Sequence, residues 1–168
     1  QPVMVKDIFP GNLASQPYLT AVGSTLYFQA SNGTNGYELW KSDGSADGTV
    51  MVKDINLGAA SSSPAYLTAV GSTLYFQASN GTNGYELWKS DGSADGTVMV
   101  KDINAGAADS SPSYLAVIGS TLYFQAGDAA TGFELWRSDG SSESTVMVKD
   151  INLGATSSTP SYLAAAGS

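Results

Sequence analysis

A chain of 168 residues with a net charge of −8 and neither histidine nor cysteine lacks the usual tools of several chemistries. Disulfides, thiolate metal sites, cysteine nucleophiles and histidine general bases are excluded. Seven scattered basic residues do not supply the clustered positive surface that nucleic acid or an anionic membrane demands. No apolar run reaches the roughly 20 residues of a membrane span, and no signal peptide is recognisable. With 9 Tyr, 5 Phe and 3 Trp against 13% charged residues, the composition reads as a folded β protein rather than a disordered chain.

In chain order, the first predicted element is a strand over 3–8, VMVKDI, and that hexapeptide returns at 50–55, 98–103 and 146–151. GSTLYFQA stands at 23–30, 71–78 and 119–126, and ELW(K/R)SDG at 38–44, 86–92 and 134–140. Trp40, Trp88 and Trp136 are spaced 48 residues apart. Within the second period, turn residues separate four strand-like runs, Tyr66–Val70, Thr73–Ala78, Tyr85–Ser90 and Val98–Ile103. The breaks are Gly71-Ser72, SNGTNG at 79–84, DGSADG at 91–96 and the longer NAGAADSSP at 104–112. The three short breaks predict a meander; the longer, Pro-ended one predicts a crossing to the next sheet. The one-residue difference between linkers falls in FPGNLASQP, 9–17, where a loop belongs.

Four antiparallel strands in a period of this length are the signature of a β-propeller blade. The expected architecture is one all-β array over 1–168 with about three and a half repeats. It comprises an outer strand at 3–8, blades at about 18–55, 66–103 and 114–151, and an incomplete blade from 162. Leu74, Phe76 and Ala78 alternate with Thr73, Tyr75 and Gln77, and Leu87 opposes Trp88. Large side chains on both faces predict sheets sandwiched between neighbours. Three and a fraction blades do not close a ring, and Val5, Ile8 and Leu163 match positions buried elsewhere. The expectation is therefore self-association into a homo-oligomer, ring or filament, with an excerpt of a longer array as the alternative.

ELW(K/R)SDGS, followed after a short gap by (G/S)TVMVKDI, resembles the bacterial repeat family named for its ELWxxDGT motif. The resemblance covers essentially the whole chain. It implies a propeller fold and an extracellular or cell-surface location, and it carries no catalytic residues. Ser45, Ser93 and Ser141 stand where the motif has Thr, and Ser144 replaces Gly48 and Gly96 of the earlier copies.

Candidate site residues each have a functional and a structural interpretation. Trp40, Trp88 and Trp136 could stack on sugar rings, or fill the core between blades. Asp43, Asp47, Asp91 and Asp95 offer oxygen ligands for Ca²⁺, or shape tight turns. Glu38, Glu86 and Glu134 suggest cross-strand pairs with lysines of the Lys41 or Lys53 type, and no catalytic carboxylate pair. Asn32 and Asn80 head N-x-T glycosylation acceptors, although Asn-Gly turns explain the same letters. The leading expectation is a non-enzymatic extracellular module for self-assembly or surface scaffolding, without a cofactor. A multivalent carbohydrate-binding propeller with glycan partners is the alternative.

Overall fold

The computed structural model describes residues 3–8 and 19–166. Among the described residues, twelve strands form three sheets, each an antiparallel meander in chain order. Sheet I contains β1 (Thr20–Val22), β2 (Thr25–Ala30), β3 (Glu38–Ser42) and β4 (Val50–Lys53). Sheet II contains β5 (Ala65–Val70), β6 (Thr73–Ser79), β7 (Tyr85–Ser90) and β8 (Val98–Lys101). Sheet III contains β9 (Ser113–Ile118), β10 (Thr121–Asp128), β11 (Gly132–Ser138) and β12 (Val146–Lys149). No helix occurs among the described residues.

The turns follow from the sequence. Val70 pairs with Thr73 across Gly71-Ser72, and Gly71 takes the positive φ of 60° that a two-residue hairpin needs. Each third strand then pairs with the second in unbroken register, Phe76 opposite Trp88 and Ala78 opposite Glu86. The fourth strand carries a bulge, because Trp88 faces Met99 while Leu87 faces Lys101. The same bulge recurs in sheets I and III.

Alternation then dictates packing. One face of each sheet presents the Leu-Phe-Ala of its second strand and the Trp of its third. The opposite face presents Tyr, Leu, Val and Ile. Between sheets I and II, Tyr27, Leu39, Val52 and Ile55 meet Leu74, Phe76, Ala78 and Trp88. Between sheets II and III, Tyr75, Leu87, Val100 and Ile103 meet Leu122, Phe124, Ala126 and Trp136. Fully burying one such Leu or Phe side chain is worth about 1.5–3 kcal/mol, so these faces carry most of the cohesion between sheets. The first strands also lie alongside one another, β1 against β5 and β5 against β9, and Thr20 Oγ1 donates to Leu67 O at 2.9 Å.

Two expected strands are absent. Residues 3–8 form no strand, because no neighbouring backbone pairs with them. Residues 162–166 form none for the same reason. The linker at 9–17 and the expected start of the first inner strand at 18 lie outside the described residues.

Candidate interaction surface

A carboxylate staple seats each sheet on the next. Glu38, at the start of β3, is fully buried and accepts hydrogen bonds from Ile55 N at 2.9 Å, Ser62 N at 2.9 Å and Ser62 Oγ at 2.6 Å. The carbonyl of Ser62 in turn receives Ser79 N of sheet II at 3.0 Å. Glu38 therefore ties the end of the outer strand to the crossing link, and the link to the next sheet. Glu86 repeats this with Ile103 and Ser110, whose carbonyl takes Gly127 N of sheet III. Glu134 repeats it with Ile151 and Ser158.

Burial pushes the Glu38 and Glu86 carboxyls above their usual range, against the opposing pull of these bonds. At Glu134 burial acts in the same direction, but the bonds from Ser158 and Ile151 outweigh it and hold the carboxyl below its usual range.

The expected Glu–Lys pairs are not formed. Glu38 and Lys41 are three residues apart on one strand and so point to opposite faces. Lys41 Nζ instead crosses to Gly92 O at 2.8 Å, and Lys53 Nζ to Thr97 O at 2.8 Å. Lys89 reaches Gly140 O at 2.7 Å and Lys101 reaches Thr145 O at 2.8 Å. Two ammonium groups from each preceding sheet thus clasp the turn between third and fourth strands of the next, DGSADGT at 91–97 and DGSSEST at 139–145.

Those turns are built by their own side chains. Asp43 Oδ1 accepts Ser45 N at 2.9 Å and Ser45 Oγ at 2.7 Å, and Asp91 does the same with Ser93. These bonds hold both carboxyls below the usual carboxylate range. Asp47 and Asp95 are exposed on the same turns. No three acidic side chains gather as a metal-holding group among the described residues. A Cβ at Gly48 or Gly96 would overlap the carboxylate of Asp43 or Asp91. In sheet III, Ser144 fills that position because its hydroxyl bonds to Asp139 itself.

Trp40, Trp88 and Trp136 are each 6% exposed, and the rings of Trp88 and Trp136 lie in the cores between sheets. Their Nε1 atoms are buried without a hydrogen-bond partner among the described residues. Asn32 Oδ1 accepts Thr34 N and Asn35 N, while its Nδ2 donates to Asn35 Oδ1 at 3.1 Å. Asn80 repeats the pattern with Thr82 and Asn83. In both sequons the amide nitrogen that would carry a glycan is engaged in shaping its own loop.

A set of residues not singled out from the sequence is the tyrosine of the SPAY, SPSY and TPSY segments. Tyr66, Tyr114 and Tyr162 are 50%, 40% and 87% exposed, and all three hold a positive φ near 55°. That conformation is costly for an aromatic residue. The rings of Tyr114 and Tyr162 lie 5.6 Å apart. The available signal was a Tyr two residues after Pro at 64–66, 112–114 and 160–162, where a strand-forming reading hid the strained backbone.

The two outermost faces carry the same side chains without the same cover. On sheet III, Val148 is 47% and Ile151 54% exposed, whereas their counterparts Val100 and Ile103 are buried in the core. Tyr123 and Leu135 are half-buried there. On sheet I, Leu26 and Phe28 are half-buried where Leu74 and Phe76 are fully buried. Tyr27 and Tyr75 hydroxyls crowd Gly92 and Gly140 of the following sheet, while Gly44 has open space at that position.

Comparison with protein-family models, curated proteins and solved structures finds no match.

Proposed function

We propose that this chain is a non-enzymatic β-propeller module that acts by self-association, with a second copy covering the open face of sheet III. The observation that carries this reading is complementarity already used twice within the molecule. The Tyr-Leu-Val-Ile face of sheets I and II each receives a Leu-Phe-Ala-Trp face. Sheet III offers the first kind of face uncovered, and sheet I offers the second kind. A second copy stacked head-to-tail would form a third interface with the same side chains. Arg137 and Lys149 stand ready to clasp its first turn, as Lys89 and Lys101 clasp that of sheet III. Continued around an axis near the first strands, such stacking is the geometry of propeller blades.

A non-enzymatic role is supported by the buried glutamates, whose oxygens are committed to backbone and serine donors in every sheet. An extracellular or cell-surface setting rests on the resemblance to the ELWxxDGT repeats. Leu135→Arg places a charge in the centre of the proposed interface. In light scattering, the wild-type chain is expected to exceed its monomer mass of 17.3 kDa, and the variant to remain at it. A variant that associates as strongly as wild type would overturn the reading.

One observation favours a second reading, glycan binding. Tyr66, Tyr114 and Tyr162 present an exposed ring in each repeat on strained backbone, the kind of platform on which sugar rings stack. Hits on a glycan array that disappear in Tyr66→Ala/Tyr114→Ala would support it; an array without hits would remove it.

A further inference from the structure

We propose that residues 3–8 are a displaceable cover that occupies the berth of a stacked neighbour's β12, so that self-association is gated by their release. This inference rests on the head-to-tail stacking proposed above. It begins from sequence identity, since VMVKDI at 3–8 is the same hexapeptide that supplies β4, β8 and β12. In β4 and β8 the lysine of that hexapeptide crosses to the threonine carbonyl of the next sheet, Lys53 to Thr97 and Lys101 to Thr145, both at 2.8 Å. Lys6 Nζ makes the equivalent bond to Thr49 O of sheet I, again at 2.8 Å, and a second to Ala46 O at 3.1 Å. Residues 3–8 therefore lie on sheet I where the outer strand of a preceding sheet would lie.

They fill that place incompletely. No strand pairs with them, and Val3, Met4 and Val5 are 86%, 74% and 47% exposed. Between this segment and sheet I remains a cavity of about 250 Å³ lined in part by Val5, Ile8, Leu26 and Phe28. A bona fide outer strand is anchored by its ladder to the third strand, as Met51 is to Trp40. Residues 3–8 have no such ladder, and among the described residues the ammonium bonds of Lys6 are their polar tether. Both bonds are charge-assisted, and the exposed position of Lys6 leaves them open to screening by water.

Stacking brings two identical segments to one berth. The open face of sheet III can receive sheet I of a second copy only with Lys149 directed at that copy's Thr49 carbonyl. The second copy's own Lys6 already holds that carbonyl. Two ammonium groups and two VMV stems cannot share the site, so the weakly anchored segment, 3–8, must leave before β12 docks. Affinity measured on the intact chain is then the intrinsic affinity reduced by the fraction of copies with the cover released.

The test compares the full-length wild type with Lys6→Glu and Lys149→Glu by sedimentation velocity at physiological salt, with circular dichroism to verify folding. Lys6→Glu unties the cover and is expected to tighten association about tenfold, or about 1.4 kcal/mol. Lys149→Glu removes the clasp and is expected to weaken it. If Lys6→Glu weakens association or leaves it unchanged while wild type associates, residues 3–8 are part of the interface or irrelevant to it, and the gating proposal fails alone. If neither wild type nor Lys6→Glu associates at any concentration, the stacking reading fails and takes the gate with it.

Discussion

Glu86 shows how a residue can be central to a fold and still be misplaced by sequence reasoning. Its repetition beside Trp was legible in the sequence. Its partner was not read correctly, although strand parity held the answer: residues three apart on a strand cannot share a face with each other's partners. The fully buried carboxylate satisfies Ile103 N, Ser110 N and Ser110 Oγ. Glu86→Ala leaves those donors unsatisfied and is expected to cost about 2–4 kcal/mol in urea unfolding.

The protonation behaviour of these groups sets a pH profile. Glu38 and Glu86 carry folded-state pKa values above the ordinary value of 4.5. Just above pH 4.5 the folded chain therefore binds more protons than the unfolded one, and stability from these groups rises as pH falls toward 4.5. Asp43, Asp91 and Asp139 behave oppositely, since hydrogen bonds hold them below their ordinary 3.8. Their contribution is lost as pH falls below about that value. Thermal melts just above pH 4.5 are expected to show the contribution of Glu38 and Glu86 growing as pH falls, with Glu86→Gln flattening that slope. A slope unchanged in Glu86→Gln would contradict the raised carboxyl of Glu86.

At the scale of elements, strand positions were readable because turn chemistry punctuates them. β5 to β8 fall within a few residues of the runs bounded by Gly-Ser, Asn-Gly and Asp-Gly. What periodicity could not show is whether a strand-like hexapeptide finds a partner. VMVKDI is a strand at 50–53, 98–101 and 146–149 but not at 3–8, because a strand is defined by its neighbour's hydrogen bonds. Nor could it show that Tyr66 and Tyr114 interrupt their strands in a left-handed conformation, visible only as register shifts against β6 and β10. The DGSADG turn makes a sharper test of local design. Gly96→Ala crowds the Asp91 carboxylate with nothing in return and is expected to cost about 1 kcal/mol. Gly96→Ser supplies the hydroxyl that Ser144 gives Asp139 and is expected to cost measurably less. Equal losses in the two variants would show that the serine contact carries no weight.

For the whole molecule, the three sheets share two interfaces built from one pair of faces, and each face is left open once. That symmetry was foreshadowed by large residues on both sides of LYF and ELW. The side chains that clasp neighbouring sheets, lysines reaching turn carbonyls, were not, because a carbonyl acceptor leaves no mark in the sequence. The central claim is that the open face of sheet III is a binding face for another copy. Sedimentation equilibrium of the wild-type chain across a micromolar to submillimolar series tests it most directly. The account predicts a weight-average mass that climbs from 17.3 kDa through its multiples, and a single 17.3 kDa species at every concentration, in Lys6→Glu as in wild type, would contradict it.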